Sequence, residues 1–385
     1  MKWIREHWGG ITLCILTLFA FCLRIYQLDY QCLMVDETVT SNIAKMTTME
    51  IFKWAMQVDC NPPLYYLLAH WFSLVFGGIT DFSIRFPSVI LGTIAVPLSY
   101  LVGKTVKSKT LGLLLASIVA FLFPYVLYSQ NARGYMLVFV AFLCFTYFWI
   151  RVMDGDNGIE TFAGLSICAA FCLWSHYYSV VPMAVMIAIL LWEHQIDIYE
   201  CFFCGSLLVC LTSPLILSAN WGNLIARSSP ALITGFGYSQ LTPDKSTWIT
   251  PIQMAIYLPN EIMCWSWIVF VPLIGYAVYR SKDKFAKYLT LTALITCITL
   301  IPLCYFTNLM MRYALLVSPL LILVALYPVS DIIERQPNAK KAAVLFIGFV
   351  FLIAAFNFFS LFSWFTFNLC PLINETIKVG MIIPR

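Results

Sequence analysis

Two acids stand side by side at Asp36 and Glu37, in the stretch LMVDETVTSNIAK that follows a long apolar segment. An ionisable side chain at a membrane boundary is costly without a partner, so its default reading is functional. A carboxylate there can take a proton from a hydroxyl nucleophile or bind a hard divalent cation. Arginine supplies the complementary chemistry, because its planar fork matches phosphate oxygens. Arg133 in SQNARGYM (129–136) and Arg312 in NLMMRY (308–313) both border apolar runs, as does Arg227. A lipid-linked phosphate with its tail between helices and its headgroup at the interface would meet both kinds of group. The chemistry that suits such a set is sugar transfer from a polyprenyl-phosphate donor to a hydroxyl.

The elements that must position these residues are membrane helices. The chain has 385 residues, 61% hydrophobic and 11% charged, against about 25% charged in a soluble domain. Apolar runs long enough to span a bilayer recur along it, so we expect an all-α polytopic membrane protein forming one transmembrane domain over residues 1–385, with no C-terminal soluble domain. MKWIREHWGG is basic and lacks a small-residue cleavage site after its apolar run, which predicts a retained first helix. The net charge of +4 says little about partners, and nucleic acid is not expected among them.

Basic clusters orient the chain. They fall at Lys2/Arg5, Lys104/Lys107/Lys109, Arg280/Lys282/Lys284/Lys287 and Arg335/Lys340/Lys341, and each is assigned to the cytoplasm. PPLYYLLAHWFSLVFGG looks like a span by hydropathy alone, but crossing there would place Lys104–Lys109 outside. Residues 62–79 are therefore expected to lie along or dip into the interface, making 29–84 one outer loop with interfacial helices. Eleven spans follow, at about 9–28, 85–103, 111–128, 134–152, 160–176, 178–192, 200–217, 252–279, 287–306, 312–330 and 342–366, with a longer outer loop at 218–251. Asp36, Glu37, Asn61, Arg133, His176 and Arg312 then share the extracytoplasmic face of a cell-membrane protein. Most of the 14 cysteines lie in apolar runs and act as small hydrophobes. The pair Cys201/Cys204 lacks the second pair a metal site needs. Cys32 and Cys60 flank the Asp36 loop, and a bridge between them is left open.

VDET, NPPLYYLLAHW, FSIRFPSVILG, YSQNARGYML, WSHYYSV and MRYALLVSPLLIL occur in this order. In order and spacing they resemble the GT-C glycosyltransferases, nearest to the dolichyl-phosphate-mannose-protein mannosyltransferase-like (family 39-type) group that includes bacterial aminoarabinose transferases. The resemblance covers about residues 10–330. It implies a GT-C bundle of about eleven helices and an enzyme using a polyprenyl-phosphate sugar, usually with inversion. The acceptor would be a lipid, glycan or protein, and membrane lipids would surround the chain. It implies that Asp36, with Glu37 beside it, is the catalytic carboxylate, and that Arg133, Arg312 and Tyr313 contact the donor phosphate. Asn61, Asn131, Tyr135 and His176 complete the expected donor and substrate set. Asn61 and Asn131 stand where relatives often carry a His or acid, so two anionic ligands are missing. A divalent metal is therefore left open, with Asp36 its one candidate ligand.

Plainer readings exist for the same residues. Asp36 can be a helix N-cap with Glu37 in the first turn, and Arg133 can snorkel from a span end. His70 reads as structural, and His176 as either an interfacial histidine or a ligand contact. Arg85 reads as an anchor or as a partner of Asp81 or Asp36. Trp174, Tyr177 and Tyr178 belong first to the aromatic belt, and only second to sugar stacking. Two other functions compete with transfer. One is a transporter of lipid-linked sugar, which would need charges at mid-membrane depth. The other is a non-catalytic subunit of a polysaccharide assembly complex, suggested by the asparagines at 61 and 131.

Overall fold

The computed structural model describes residues 2–59, 61–222, 258–260, 262–280, 283–306, 311–336 and 338–364, and every regular element among them is helical. Without water to bond a bare backbone, a spanning segment must satisfy its N–H and C=O groups internally, so apolar runs of this length fold as helices. The first span is α1 (Lys2–Ile25), and the first loop carries α2 (Val35–Ala44), α3 (Thr48–Gln57) and α4 (Leu64–Val75). There follow α5 (Asp81–Val106), α6 (Lys109–Phe121), α7 (Phe123–Ser129), α8 (Tyr135–Met153), α9 (Ile159–Ser175), α10 (Val180–Trp192) and α11 (Ile198–Ser218). The last part holds α12 (Trp267–Arg280), α13 (Lys284–Phe306), a 3₁₀ turn (Met311–Val317), α14 (Ser318–Glu334) and α15 (Ala339–Trp364).

A helix lies within each of the eleven predicted spans. Among the described residues, five are long and apolar enough to cross a membrane, and α6 with α7 makes a sixth if the bent pair is one span. α1, α9, α10 and α12 contribute shorter apolar stretches. Two boundaries differ from expectation. α5 starts at Asp81 rather than 85, because Thr80 and Ser83 cap each other reciprocally: the Ser83 N–H donates to Thr80 Oγ1 at 3.1 Å and the Thr80 N–H to Ser83 Oγ at 2.9 Å. The expected span 111–128 is not one straight helix but bends by 57° between α6 and α7. α4, with 12 residues, is ~18 Å long at the usual rise, too short for a hydrocarbon core of about 30 Å. It packs on α2, α3 and α5 instead.

The bend has a local cause. Pro124 has no N–H to offer the carbonyl of Ala120, one turn back. Arg24, fully buried on α1, fills the gap, with Nη1 donating to Ala120 O at 2.7 Å and Nη2 to Val119 O at 2.7 Å. Its Nε donates to Ser129 Oγ at 3.0 Å, so one guanidinium joins both halves of the broken helix. Gly92 on α5 makes room for this, since a Cβ there would lie 2.0 Å from Ser129 Oγ. α5 and α6 also cross closely at a glycine pair, where a Cβ on Gly103 would lie 2.8 Å from the Gly112 Cα.

α8 and α14 form the centre of the bundle, while α11 exposes Phe202, Val209 and Leu217, the apolar surface that lipid requires. The helix turns collect at two ends. One end is tied by Lys107 to Asp331 at 2.6 Å, Lys284 to the Met153 carbonyl, Tyr288 to Glu193, and Tyr327 to Asp283. The other gathers α2–α4, the 130–134 turn, His176 and Arg312. The 218–251 loop beyond Gly222, with Arg227, lies outside the described residues, as does Cys60 and hence any pairing with Cys32.

Candidate active site

α2 begins after Met34, which is its N-cap, so Asp36 and Glu37 both fall in the first turn, where the helix dipole favours carboxylates. Asp36 is thus not the cap that the plainer reading assigned. Consecutive helical residues point about 100° apart, and the two acids part company accordingly.

Glu37 turns inward. Its side chain is 2% exposed and its two oxygens take Arg85 Nε and Nη2, each at 2.8 Å. Oε2 also accepts the Met34 N–H at 3.0 Å, closing the helix end, and Oε1 accepts the Ala132 N–H at 2.8 Å. Arg85 uses its remaining donors on the carbonyls of Leu28, Gln31 and Cys32. The partner of Arg85 is therefore Glu37, not the Asp81 or Asp36 that span position suggested. This one ion pair fastens the first loop, α2 and the 130–134 turn to α5.

Asp36 turns toward the end of the chain. Its Oδ2 accepts from Arg312 Nη2 at 2.9 Å, with the two side chains 25% and 19% exposed. The Arg312 guanidinium lies over the Tyr135 ring, 5.4 Å from its centre. Beyond it a pocket opens, lined by Asn61, Tyr65, Tyr66, Arg133, His176 and Tyr313 among others, and a second opening shared by Tyr135, His176 and Tyr313 reaches Arg312 itself. Arg133 Nη1 donates to the Tyr66 hydroxyl at 2.9 Å, and that hydroxyl donates to Asp59 Oδ2 at 2.5 Å. Tyr313 packs on His176 at 4.2 Å and on Tyr135 at 6.1 Å between ring centres.

The electrostatics follow from burial. Burial alone would lower the Arg133 pKa, but Tyr66, Tyr135, Asp36 and Asp59 around it raise it above the ordinary value, so the group stays charged. His176, in the turn after α9, is pushed down to about 4 by burial and then by Arg133. It is a neutral imidazole at pH 7, and its Nδ1 accepts the Tyr178 N–H at 3.2 Å. The Tyr66 phenol is raised, chiefly by burial, and remains a donor.

Of the residues singled out from sequence, Asp36, Asn61, Arg133, Tyr135, His176, Arg312 and Tyr313 share this region. Asn131 does not. Its side chain, 7% exposed, borders a different cleft beside Glu37. His70 holds α4 to α2 through the Ala44 carbonyl at 2.9 Å, and Trp174 packs on Phe52. Tyr66 and Asp59 were not singled out; the seven-residue spacing that lets them meet carries no motif. Among the described residues no three His, Cys, Asp or Glu side chains converge. Asp36 faces a guanidinium rather than further oxygen ligands of the kind a hard cation requires. The described residues do not form a metal cage.

The architecture has known counterparts. Residues 60–217 match the family model for dolichyl-phosphate-mannose-protein mannosyltransferase. The ArnT protein of Cupriavidus metallidurans, in a structure with undecaprenyl phosphate bound, superposes with a TM-score of 0.59 at 12% identity over 90% of this chain. The oligosaccharyltransferase AglB of Archaeoglobus fulgidus, in a structure with an inhibitory peptide and a dolichol-phosphate, gives 0.54 at 12% identity over 93% of this chain. The chain shares the fold of these two membrane proteins, and its match to the mannosyltransferase model runs over residues 60–217. It spans 64% of the ArnT chain and 55% of the AglB chain. No curated protein sequence matches it.

Proposed function

We propose that this GT-C protein transfers a sugar from a polyprenyl-phosphate donor to a hydroxyl of a lipid, glycan or protein acceptor, at the extracytoplasmic face of the membrane. The observation that carries the reading is the Asp36–Arg312 contact, with Arg312 lining an opening that shares Tyr135, His176 and Tyr313 with the pocket lined by Arg133. A carboxylate suited to act as general base and two guanidiniums suited to phosphate thereby lie at one end of the bundle. The side of the membrane is supported by Lys107 and its neighbours at the opposite end, where positive charge favours the cytoplasm.

In this reading the donor phosphate takes donors from Arg133 and Arg312, and Arg312 lets go of Asp36 as it does so. The freed carboxylate accepts the proton of the acceptor hydroxyl. The acceptor oxygen bonds to the anomeric carbon from the face opposite the phosphate, inverting it. The bond from that carbon to the phosphate oxygen breaks, and its electron pair stays on the phosphate. Polyprenyl phosphate leaves with one more negative charge than the donor carried, and the two arginines stabilise the charge as it develops. Tyr135, Tyr313 and neutral His176 wall the pocket, and Glu37 fixes α2 so that Asp36 is aimed.

Reconstituted protein given radiolabelled polyprenyl-phosphate hexose or pentose is the direct test. Wild-type protein is expected to release polyprenyl phosphate and label an acceptor. Movement of intact donor across the bilayer without cleavage would replace this reading with transport. Neither activity, across a panel of donors and hydroxyl acceptors, would leave a non-catalytic subunit.

A further inference from the structure

We infer a second binding site, on the Glu37 side of α2, for a neutral, hydroxyl-bearing amphiphile whose vicinal diol is held by Asn131. A cleft of about 280 Å³ lies between the turn after α1 and the short helix α7. Its walls at Leu23, Phe123, Val126 and Leu127 are apolar and suit an alkyl chain, and its inner face is polar. Gln27 takes a left-handed backbone at φ 51° where α1 ends, a conformation that a non-glycine residue holds only when its surroundings impose it.

Charge excludes a phosphate here. The charged residues lining the cleft are Glu37 and Arg85, and they bind each other through both oxygens, with Arg85 further committed to three loop carbonyls. Gln130 is fixed as well, because its Nε2 donates to the carbonyls of Arg24 and Tyr26, both at 3.0 Å.

Asn131 is different. Its Oδ1 is buried without a hydrogen-bond partner among the described residues, which is uncommon in a folded protein. Among the described residues its Nδ2 reaches only the Met34 sulfur, at 3.9 Å, a weak acceptor. Met34 itself is 42% exposed and unbranched, so it can swing aside. The amide then presents an acceptor and a donor side by side. One hydroxyl of a diol donates to Oδ1 while its neighbour accepts from Nδ2. This site stands independently of the transfer reading, because neither Asp36 nor Arg133 takes part.

The test uses wild-type protein in liposomes and a photoactivatable octyl glucoside, with crosslinks mapped by mass spectrometry. Labels are expected within 23–34 and 123–131, competed by octyl glucoside and not by free glucose. Equal competition by free glucose would overturn the amphiphile and leave a soluble sugar in its place. Asn131→Leu is expected to lower labelling roughly five- to tenfold, and Leu127→Trp to lower it by filling the cleft. Arg133→Ala should leave it unchanged. Should Asn131→Leu not fold, Leu127→Trp decides. Labelling that neither variant lowers, or stronger labelling of the cleft by a photoactivatable alkyl phosphate, would overturn the site.

Discussion

Asp36 and Glu37 are neighbours in sequence and opposites in circumstance. Glu37 is buried, holds Arg85 with both oxygens, and closes two backbone N–H groups besides. Asp36 is a quarter exposed and meets its arginine through one oxygen. A carboxylate with every lone pair engaged holds structure, and one that is partly uncommitted is available to a proton or a ligand. The difference comes from one step of about 100° around a helix, which sends one acid toward α5 and the other toward Arg312.

The contrast is broken most sharply through turnover. Asp36→Asn removes the base and is expected to cut the transfer rate roughly a hundred- to ten-thousand-fold, while the thermal midpoint stays near that of wild type. Near-wild-type transfer by this variant would end the catalytic assignment.

Glu37→Ala should act on stability instead, because it strands a buried arginine at a cost of about 3–5 kcal/mol. Unfolding followed in detergent, with Glu37→Ala/Arg85→Met beside it, checks this. The double variant is expected to lose less than the two single losses added. Additive losses would mean that the pair is not a unit.

A smaller effect is expected on the phosphate side. Arg133→Ala and Arg312→Ala should each weaken binding of a polyprenyl phosphate by about 1.5–3 kcal/mol. Unchanged affinity in both variants removes them from the donor site.

At pH 7 the smallest effect belongs to His176. Its folded pKa is depressed to about 4, against about 6.5 in an unfolded chain. Between those values the unfolded state binds more protons, so stability falls with acidification. The contribution is fully present above pH 6.5 and lost as pH drops toward 4. His176→Phe should flatten that part of the pH–stability curve, and an unchanged slope would show that the imidazole does not titrate there.

Much of this was legible in the sequence. Hydropathy and basic clusters mark where each apolar helix runs, and the break of hydropathy against charge at 62–79 anticipates a helix too short to cross. Adjacency singles out Asp36 and Glu37, and motif order singles out Arg133 and Arg312. What sequence withholds is rotation about the bundle axis. Span positions place Arg24, Arg85 and Arg133 at one depth, so nothing along the chain says which of them faces Glu37, 48 positions before Arg85. The same gap hides Arg24, which resembles any cation near a helix end until Pro124 and the stranded Ala120 carbonyl are seen beside it. Tyr66 and Asp59 escaped notice because a phenol bridging an arginine to an acid has no sequence signature.

The contact between Asp36 and Arg312 joins residues 276 positions apart, and this bears on how the protein is made. At ~5–20 residues per second of synthesis, the acid reaches the membrane tens of seconds before its counter-charge exists. A chain halted anywhere before residue 312 carries Asp36 without the guanidinium that holds it.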